Sequence, residues 1–274
     1  MTNDVVYMKW KEYRRDVSFG PREEGGHVHL YKADVFGFIR ATSPWIESGT
    51  LWGHTARQPP GQSCPMHSVP SDVLFVGLVG EFEFRVPGDR FRLAPLDLLM
   101  LPCNMPYDYS NFGMSDALFF DFLEKTVPRQ PTVYFNSEAE AGAFWASERK
   151  KGGASEKDDG AVHMKWEDYR RELKWQDSPE TRQWGFHRGT YPAVEANRFR
   201  AQMVRYPSGQ RSRNQTSASE HFLIGTFGEC EITTPAGLYS LEPLDLLKLP
   251  AKMEYSCRNI GMSDAMYLAL NPRT

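Results

Sequence analysis

Residues 93–113 read LAPLDLLMLPCNMPYDYSNFG, and residues 241–261 read LEPLDLLKLPAKMEYSCRNIG. Both stretches contain PLDLL, a proline at the end of the next apolar run and an aligned tyrosine, at an offset of 148 positions (93 to 241). The same offset holds without a gap from Gly61 to Ala117 of the first copy. Because solenoid arrays use many shorter units, two long copies indicate the tandem duplication of a domain.

A helix and a linker are predicted between the two copies. SEAEAGAFWASERKK (137–151) reads as a helix, with Ser137 as its N-cap and Glu140 three residues later, which is the capping-box pattern. The following GGASEKDDG (152–160) is rich in glycine and in charge, as flexible linkers are.

The repeat divides the chain into an N-terminal domain (1–136), a helix with a flexible linker (137–160) and a C-terminal domain (161–274). YMKWKEYRR (7–15) and HMKWEDYRR (163–171) are a matching pair of segments near the start of each copy. Further along each copy, short apolar or alternating runs are separated by glycine and proline, which is typical of strands joined by tight turns. We therefore expect an all-β protein, with helices confined to the connector and to these two segments.

The composition argues against several classes of function. A formal net charge of −3 and a pI of about 6.2 give no overall attraction to nucleic acid or to an anionic membrane surface. No apolar run approaches the roughly 20 residues that a membrane-spanning helix needs, and no helix-turn-helix pattern is present. The N-terminus lacks the features of a signal peptide, and the cysteines form no CxxC pair, so we expect reduced thiols in a cytoplasmic protein.

Three features recur in each copy in the same order. A turn of proline and glycine (Pro60 with Gly61, Pro207 with Gly209) precedes a polar strand; VGLVGEFEF or IGTFGECEI follows; and PLDLL comes last. This layout resembles the cupin superfamily, and specifically a bicupin, which carries two jelly-roll β-barrels in one chain. The resemblance implies an all-β fold formed by tandem duplication of a double-stranded β-helix barrel, with a short connecting helix.

Metal-binding cupins place three histidines and one glutamate inside the barrel, and the first copy keeps part of that pattern. His67 is present with Asp72 five residues on, whereas Pro65 and Tyr107 stand at two of the histidine positions. His54, on the preceding strand, would complete a two-histidine, one-carboxylate set with His67 and Asp72, which suits an Fe(II)-type site. The resemblance implies either one divalent transition metal (Fe, Mn, Ni or Zn) in the N-terminal barrel or none, and without metal His67 and Asp72 would form an acid–base pair.

The second copy has no intact set of these ligands. The residues that we take as candidates for ligand binding there are Gln202, Arg213, Gln215, Glu220 and Tyr255. The acidic residue lies one step further from the glycine turn than is usual, so a bulge or a register difference would turn the adjacent His221 inward instead.

Arginines accumulate in the second copy. Arg198, Arg200 and Gln202 alternate with apolar residues, which predicts a cationic strand face that either binds a carboxylate or phosphate or is solvated. Arg57 and Arg205 occupy equivalent positions in the two copies, and this repetition predicts a structural ion pair.

Two other repeated or paired features are interpreted as structural. His27 and His29 share one strand face but lie well before the proline–glycine turn, which favours an edge strand over a metal site. Asp97 and Asp245 sit in the PLDLL turn, where aspartate side chains commonly accept hydrogen bonds from nearby backbone amides.

Two functions remain open from the sequence. The first is an enzyme that acts on a small polar or anionic metabolite in the N-terminal barrel, with His67, Asp72 and Tyr107 as catalytic candidates. Its chemistry would be metal-assisted or acid–base, of the oxygenase, decarboxylase, isomerase or aminohydrolase type. The alternative is a metal-free, non-catalytic bicupin that binds a small acid or sugar, because fold alone does not fix function. In both cases the expected partner is a small molecule, and edge strands leave room for a homodimer.

Overall fold

A computed structural model of the chain describes residues 4–14, 46–125, 132–152, 160–176, 188–197 and 199–273, together with short strands at 18–19, 23–24, 27–28 and 41–42. The chain forms two compact units. The N-terminal barrel comprises residues 16–45 and 50–166, and the C-terminal barrel comprises residues 1–15, 46–49 and 167–274. Both units are built from antiparallel sheets, so the predicted all-β, duplicated jelly-roll architecture is confirmed.

The strands in chain order are β1 (Val6–Met8), β2 (Ser18–Phe19), β3 (Glu23–Glu24), β4 (His27–Val28), β5 (Ala41–Thr42), β6 (Ile46–Glu47), β7 (Leu51–Gln58), β8 (Ser63–Ser68), β9 (Val73–Val79), β10 (Phe82–Val86), β11 (Asp89–Leu93), β12 (Leu98–Leu101), β13 (Tyr107–Asn111), β14 (Ala117–Glu124), β15 (Val133–Tyr134), β16 (Val162–Met164), β17 (Lys174–Trp175), β18 (Gly189–Glu195), β19 (Phe199–Tyr206), β20 (Gln215–Thr216), β21 (His221–Phe227), β22 (Cys230–Thr234), β23 (Gly237–Leu241), β24 (Leu246–Leu249), β25 (Glu254–Asn259) and β26 (Ala265–Pro272). The helices are α1 (Trp10–Tyr13), α2 (Glu138–Gly152) and α3 (Trp166–Tyr169), the last followed by a 3₁₀ turn (Arg170–Glu172).

Each barrel consists of a large and a small sheet. In the N-terminal barrel the strand orders are β16-β12-β9-β14-β7-β5-β2 and β11-β10-β13-β8-β15, with a separate β3–β4 pair. In the C-terminal barrel they are β1-β24-β21-β26-β19-β18-β17 and β20-β25-β22-β23. The two large sheets therefore repeat one arrangement, as the duplicated sequence predicts.

The connecting helix α2 begins where the capping pattern predicts. The Ser137 hydroxyl accepts a hydrogen bond from the backbone N–H of Glu140 (3.2 Å), and the Glu140 carboxylate accepts one from the N–H of Asn136 (2.9 Å). The second bond reaches one residue further back than in the usual capping box, but it satisfies a backbone donor in the same way. Most of the predicted linker 152–160 lies outside the described residues.

The two barrels are each completed by a strand from the other copy of the repeat. Strand β1 pairs with β24, with Tyr7 opposite Leu247, and β16 pairs with β12, with His163 opposite Leu99. The compact units thus differ at their ends from the sequence division into 1–136 and 161–274. The repeat itself cannot specify this exchange, because both copies carry nearly the same MKW and PLDLL segments.

The aspartates of the PLDLL turns hold the exchanged segments. Asp97 accepts hydrogen bonds from the N–H of Ala94 in its own turn (2.9 Å) and from the N–H of Trp166 at the start of α3 (2.7 Å). Asp245 accepts in the same way from the N–H of Trp10 at the start of α1 (2.7 Å). The predicted backbone-bonding role is therefore present, and it extends to the segment that crosses from the other copy.

The interiors of the two barrels are filled differently. The N-terminal interior contains a group of packed aromatic rings, in which Phe82 and Phe119 are 4.9 Å apart and Phe75 and Phe84 are 4.7 Å apart, between ring centroids. At the 148-residue offset, the buried positions 75, 82, 84, 109 and 119 of the N-terminal barrel correspond to Leu223, Cys230, Ile232, Cys257 and Tyr267. Less side-chain volume therefore fills the C-terminal interior at four of these five positions.

Candidate functional site

The position next to the predicted acidic residue faces the interior of each barrel. Val73 belongs to the N-terminal core, and His221 is 1% exposed, with its ring centroid 4.9 Å from that of Tyr255. The two residues are equivalent in register, since Val73 lies opposite Leu101 and His221 lies opposite Leu249. The one-residue shift considered from the sequence thus brings His221 into the C-terminal interior.

The acidic candidates themselves bind backbone amides. Asp72 accepts a hydrogen bond from the N–H of Cys103 (2.9 Å), and Glu220 accepts one from the N–H of Gly49 (3.0 Å). Both carboxylates therefore have a contact that stabilises a loop.

His67 and Tyr107 are brought together in the N-terminal barrel. They are directly opposite each other on β8 and β13, and their ring centroids are 4.4 Å apart. His67 Nδ1 lies 2.8 Å from the carbonyl oxygen of Pro65 and 3.7 Å from Cys64 Sγ. Because a carbonyl oxygen only accepts, Nδ1 must carry a proton and donate to it.

A second ionisable pair in this barrel was not recognised from the sequence. His54 and Asp121 are opposite each other on β7 and β14, both buried, with Nδ1 and Oδ1 3.1 Å apart. The Trp52 ring stacks nearly parallel to the imidazole at 6.1 Å. The equivalent pair of the C-terminal barrel is Gln202 and Ala269, so the fold does not require ionisable side chains here. Asp121 lies on a strand outside the cupin-like motifs, which is why the pattern did not indicate it.

The residues of the N-terminal barrel do not fit a metal ion. Among the described residues, no group of three or more histidines, cysteines, aspartates or glutamates is placed to hold one. His54, His67 and Asp72 all lie in the described part of the chain, and they do not form such a group. The ligand positions implied by the resemblance hold a single imidazole, that of His67, where a metal site of this kind needs three or four donors.

The C-terminal interior contains an arginine that the sequence motifs did not indicate. Arg188, just before β18, donates a hydrogen bond from Nη1 to Gln215 Oε1 (3.2 Å), and its Nε atom is buried without a hydrogen-bond partner in the described part of the chain. Its electrostatic neighbours are the side chains of Tyr206, Tyr255, Tyr267 and Cys257. No ion pair of the described residues includes Arg188, although most other arginines near the repeat have one.

Burial fixes the protonation of the groups around Arg188. It raises the pKa of Tyr255 to about 12, partly opposed by the Arg188 guanidinium, and it raises the pKa of Tyr206 and of Tyr267 as well. Burial lowers the pKa of His221 to about 4, partly opposed by the backbone of Ser219. At neutral pH the phenols and the imidazole are therefore uncharged, and of these side chains only Arg188 carries charge.

The other predicted ligand-binding residues lie apart from this group or in its margin. Arg213 is exposed, and Gln202 donates to the backbone oxygen of Tyr191 (2.6 Å). Gln215 and Tyr255, by contrast, belong to the group around Arg188.

The remaining arginine and histidine predictions have mixed outcomes. Arg57 pairs with Asp116 and Arg205 pairs with Asp264, so the predicted structural ion pair is present in both copies. Arg200 lies on an exposed strand face, 3.5 Å from Glu195. The backbone of His27 is part of β4, whereas His29 and Arg198 lie outside the described residues.

Comparison with known proteins supports the fold and nothing finer. No family model matches the chain, and no curated protein matches it. Among solved structures, a salicylate 1,2-dioxygenase from Pseudaminobacter salicylatoxidans has a TM-score of 0.69 at 14% identity, covering 98% of this chain and 84% of that chain. AerE from Microcystis aeruginosa has a TM-score of 0.61 at 15% identity, covering 94% and 98%. A putative glyoxylate-induced protein from Pseudomonas aeruginosa has a TM-score of 0.62 at 14% identity, covering 85% and 80%.

The chain has the bicupin fold, two jelly-roll barrels in one polypeptide. Within its described residues, no helix has the length and apolar character needed to span a membrane. The site residues and their chemistry have to be argued from this chain alone.

Proposed function

We propose that this bicupin binds a small organic carboxylate in the interior of its C-terminal barrel, without a metal ion. The observation that carries the proposal is Arg188, whose guanidinium is directed among buried phenols and has the neutral amide of Gln215 as its hydrogen-bond partner. A charge held in such surroundings without a counter-charge costs several kcal/mol, on the order of what a carboxylate ligand would restore.

The donors around Arg188 match a carboxylate in number and kind. The guanidinium offers a planar fork of N–H groups that can bind both carboxylate oxygens. The Nε2 atom of Gln215 is buried and has no hydrogen-bond partner in the described part of the chain, so it is a further donor. The protonated phenol of Tyr255 adds an O–H group beside the same guanidinium.

The same group of side chains disfavours a metal ion. The positions at which metal-binding cupins carry ligands hold Arg213, Gln215, His221 and Tyr255 in this barrel, with the guanidinium of Arg188 beside them. A fixed positive charge repels a cation and attracts an anion at the same place.

The choice of carboxylate probes is guided by a structural neighbour. The salicylate 1,2-dioxygenase structure has been determined in complex with gentisate, so a protein of this fold takes up a hydroxylated aromatic acid. Benzoate, salicylate and gentisate are therefore reasonable first ligands for this chain.

The proposal is tested by titration calorimetry with these acids and matched arginine variants. Arg188→Gln removes the charge but keeps a polar side chain, and we expect it to weaken carboxylate binding by at least about tenfold. Arg213→Gln removes an exposed arginine of the same barrel and should bind as the wild type does. Far-ultraviolet circular dichroism of each variant checks that it is folded. Equal binding by the wild type and Arg188→Gln would overturn the proposal.

A second candidate function is acid–base chemistry in the N-terminal barrel. It is favoured by the buried His54–Asp121 pair, which has no counterpart in the other barrel, and by the contact between His67 and Tyr107. An aspartate that orients an imidazole is the usual arrangement of a general base. Loss of turnover of a bound acid in His54→Gln, with its affinity unchanged, would support this candidate, whereas unchanged turnover would remove it. A cytoplasmic location and a homodimer stay predictions.

A further inference from the structure

His221 is the second polar group of the C-terminal interior that the fold does not require. The N-terminal barrel has Val73 at the same register position, where an apolar side chain packs into the core. His221 is equally buried, and neither of its ring nitrogens makes a well-formed hydrogen bond with the described residues. Buried polar atoms without partners are rare in native proteins and destabilise them, so this imidazole calls for a ligand group.

His221 and Arg188 flank the same side chain. The Tyr255 ring lies 4.9 Å from the His221 ring and is also an electrostatic neighbour of the Arg188 guanidinium. Two different recognition groups thus lie on either side of one phenol, within the span of a small molecule.

The chemistry of the two groups is complementary to two functions on one ligand. A guanidinium recognises an anion, whereas a neutral imidazole has one N–H donor and one lone-pair acceptor. A hydroxyl group can donate to that acceptor, and a carboxylate cannot. We infer that the ligand is a hydroxycarboxylate, whose carboxylate binds Arg188 and whose hydroxyl group donates a hydrogen bond to His221.

This inference rests on the proposed carboxylate site, and the test separates the two. The probes are benzoate and its 2-, 3- and 4-hydroxy derivatives, measured by calorimetry at pH 7 with the wild type, His221→Val and His221→Gln. We expect at least one hydroxybenzoate to bind about five- to tenfold more tightly than benzoate to the wild type. His221→Val, which copies the N-terminal barrel, should abolish that difference while leaving benzoate binding in place, and His221→Gln, which keeps an acceptor, should retain part of it.

The outcomes are distinguishable. If benzoate binds and depends on Arg188, but no hydroxy isomer gains affinity through His221, the inference fails and the carboxylate site stands. If the hydroxy isomers gain affinity equally in the wild type and in His221→Val, the hydroxyl is bound elsewhere and the inference also fails. If none of the four acids binds, both the inference and the proposed function are overturned.

Discussion

Val73 and His221 occupy the same register position in the two barrels, but one is apolar and the other is an imidazole. Each begins the strand that pairs with its PLDLL strand, and each is 1% exposed. The N-terminal barrel shows that the fold is stable with a valine here. Burial of a polar ring in the sister barrel therefore reflects a role other than folding, and it has consequences for pH dependence.

The first prediction concerns stability and pH. Burial lowers the pKa of His221 to about 4 in the folded protein, below the ordinary value of 6.5, so the unfolded chain binds the extra proton first as the pH falls. The free energy of unfolding should therefore fall between about pH 6.5 and pH 4, by about 3 kcal/mol from this group. Urea unfolding of the wild type and of His221→Val at pH 7 and pH 4 measures the difference. A decrease of the same size in both proteins would assign it to other groups.

The second prediction concerns the pair His54 and Asp121. Asp121→Ala alone leaves a buried imidazole without its carboxylate, and we expect a loss of about 3 kcal/mol in the free energy of unfolding. The double variant His54→Gln/Asp121→Ala copies Gln202 and Ala269 of the C-terminal barrel and should recover most of that loss. A double-mutant cycle by urea unfolding tests this coupling, and additive losses would contradict it.

The third prediction concerns the exchanged strands. Asp245→Ala removes the acceptor for the N–H of Trp10, so amide hydrogen exchange should accelerate in residues 4–14. Asp97→Ala removes the acceptor for the N–H of Trp166, so exchange should accelerate in residues 160–166 instead. The two variants serve as controls for each other, and the reverse pattern would mean that each segment pairs within its own copy.

The fourth prediction concerns metal dependence. Because the described residues supply no group of three suitable ligands and Arg188 places a positive charge in the C-terminal interior, carboxylate binding should not need a metal ion. Calorimetry should give the same affinity before and after dialysis against a chelator. Loss of binding that is restored by Fe, Mn, Ni or Zn would show that a metal takes part.

The fold could be predicted from sequence because its determinants are local and repeated. The PLDLL turn, the spacing of glycine and proline, and the Ser137 cap each depend on neighbouring residues, and two copies agree. The strand exchange could not be predicted in this way, since Tyr7 and His163 precede almost identical segments and either PLDLL strand could receive either one.

The candidate site was predictable only in part, for reasons of register and distance. Gln215 and Tyr255 were found because they stand at the motif positions, and His221 depended on a one-residue shift that only the strand pairing decides. Arg188 lies before the repeated motifs and reaches Gln215 through tertiary structure, which no spacing in the sequence reveals.

The most direct test of the account is a crystal structure of the protein with 4-bromobenzoate, because the anomalous signal of bromine locates the ligand without ambiguity. The account predicts one ligand in the C-terminal barrel, with its carboxylate oxygens at hydrogen-bonding distance from the Arg188 guanidinium. A ligand in the N-terminal barrel, or a C-terminal interior that stays empty at saturating concentration, would contradict it.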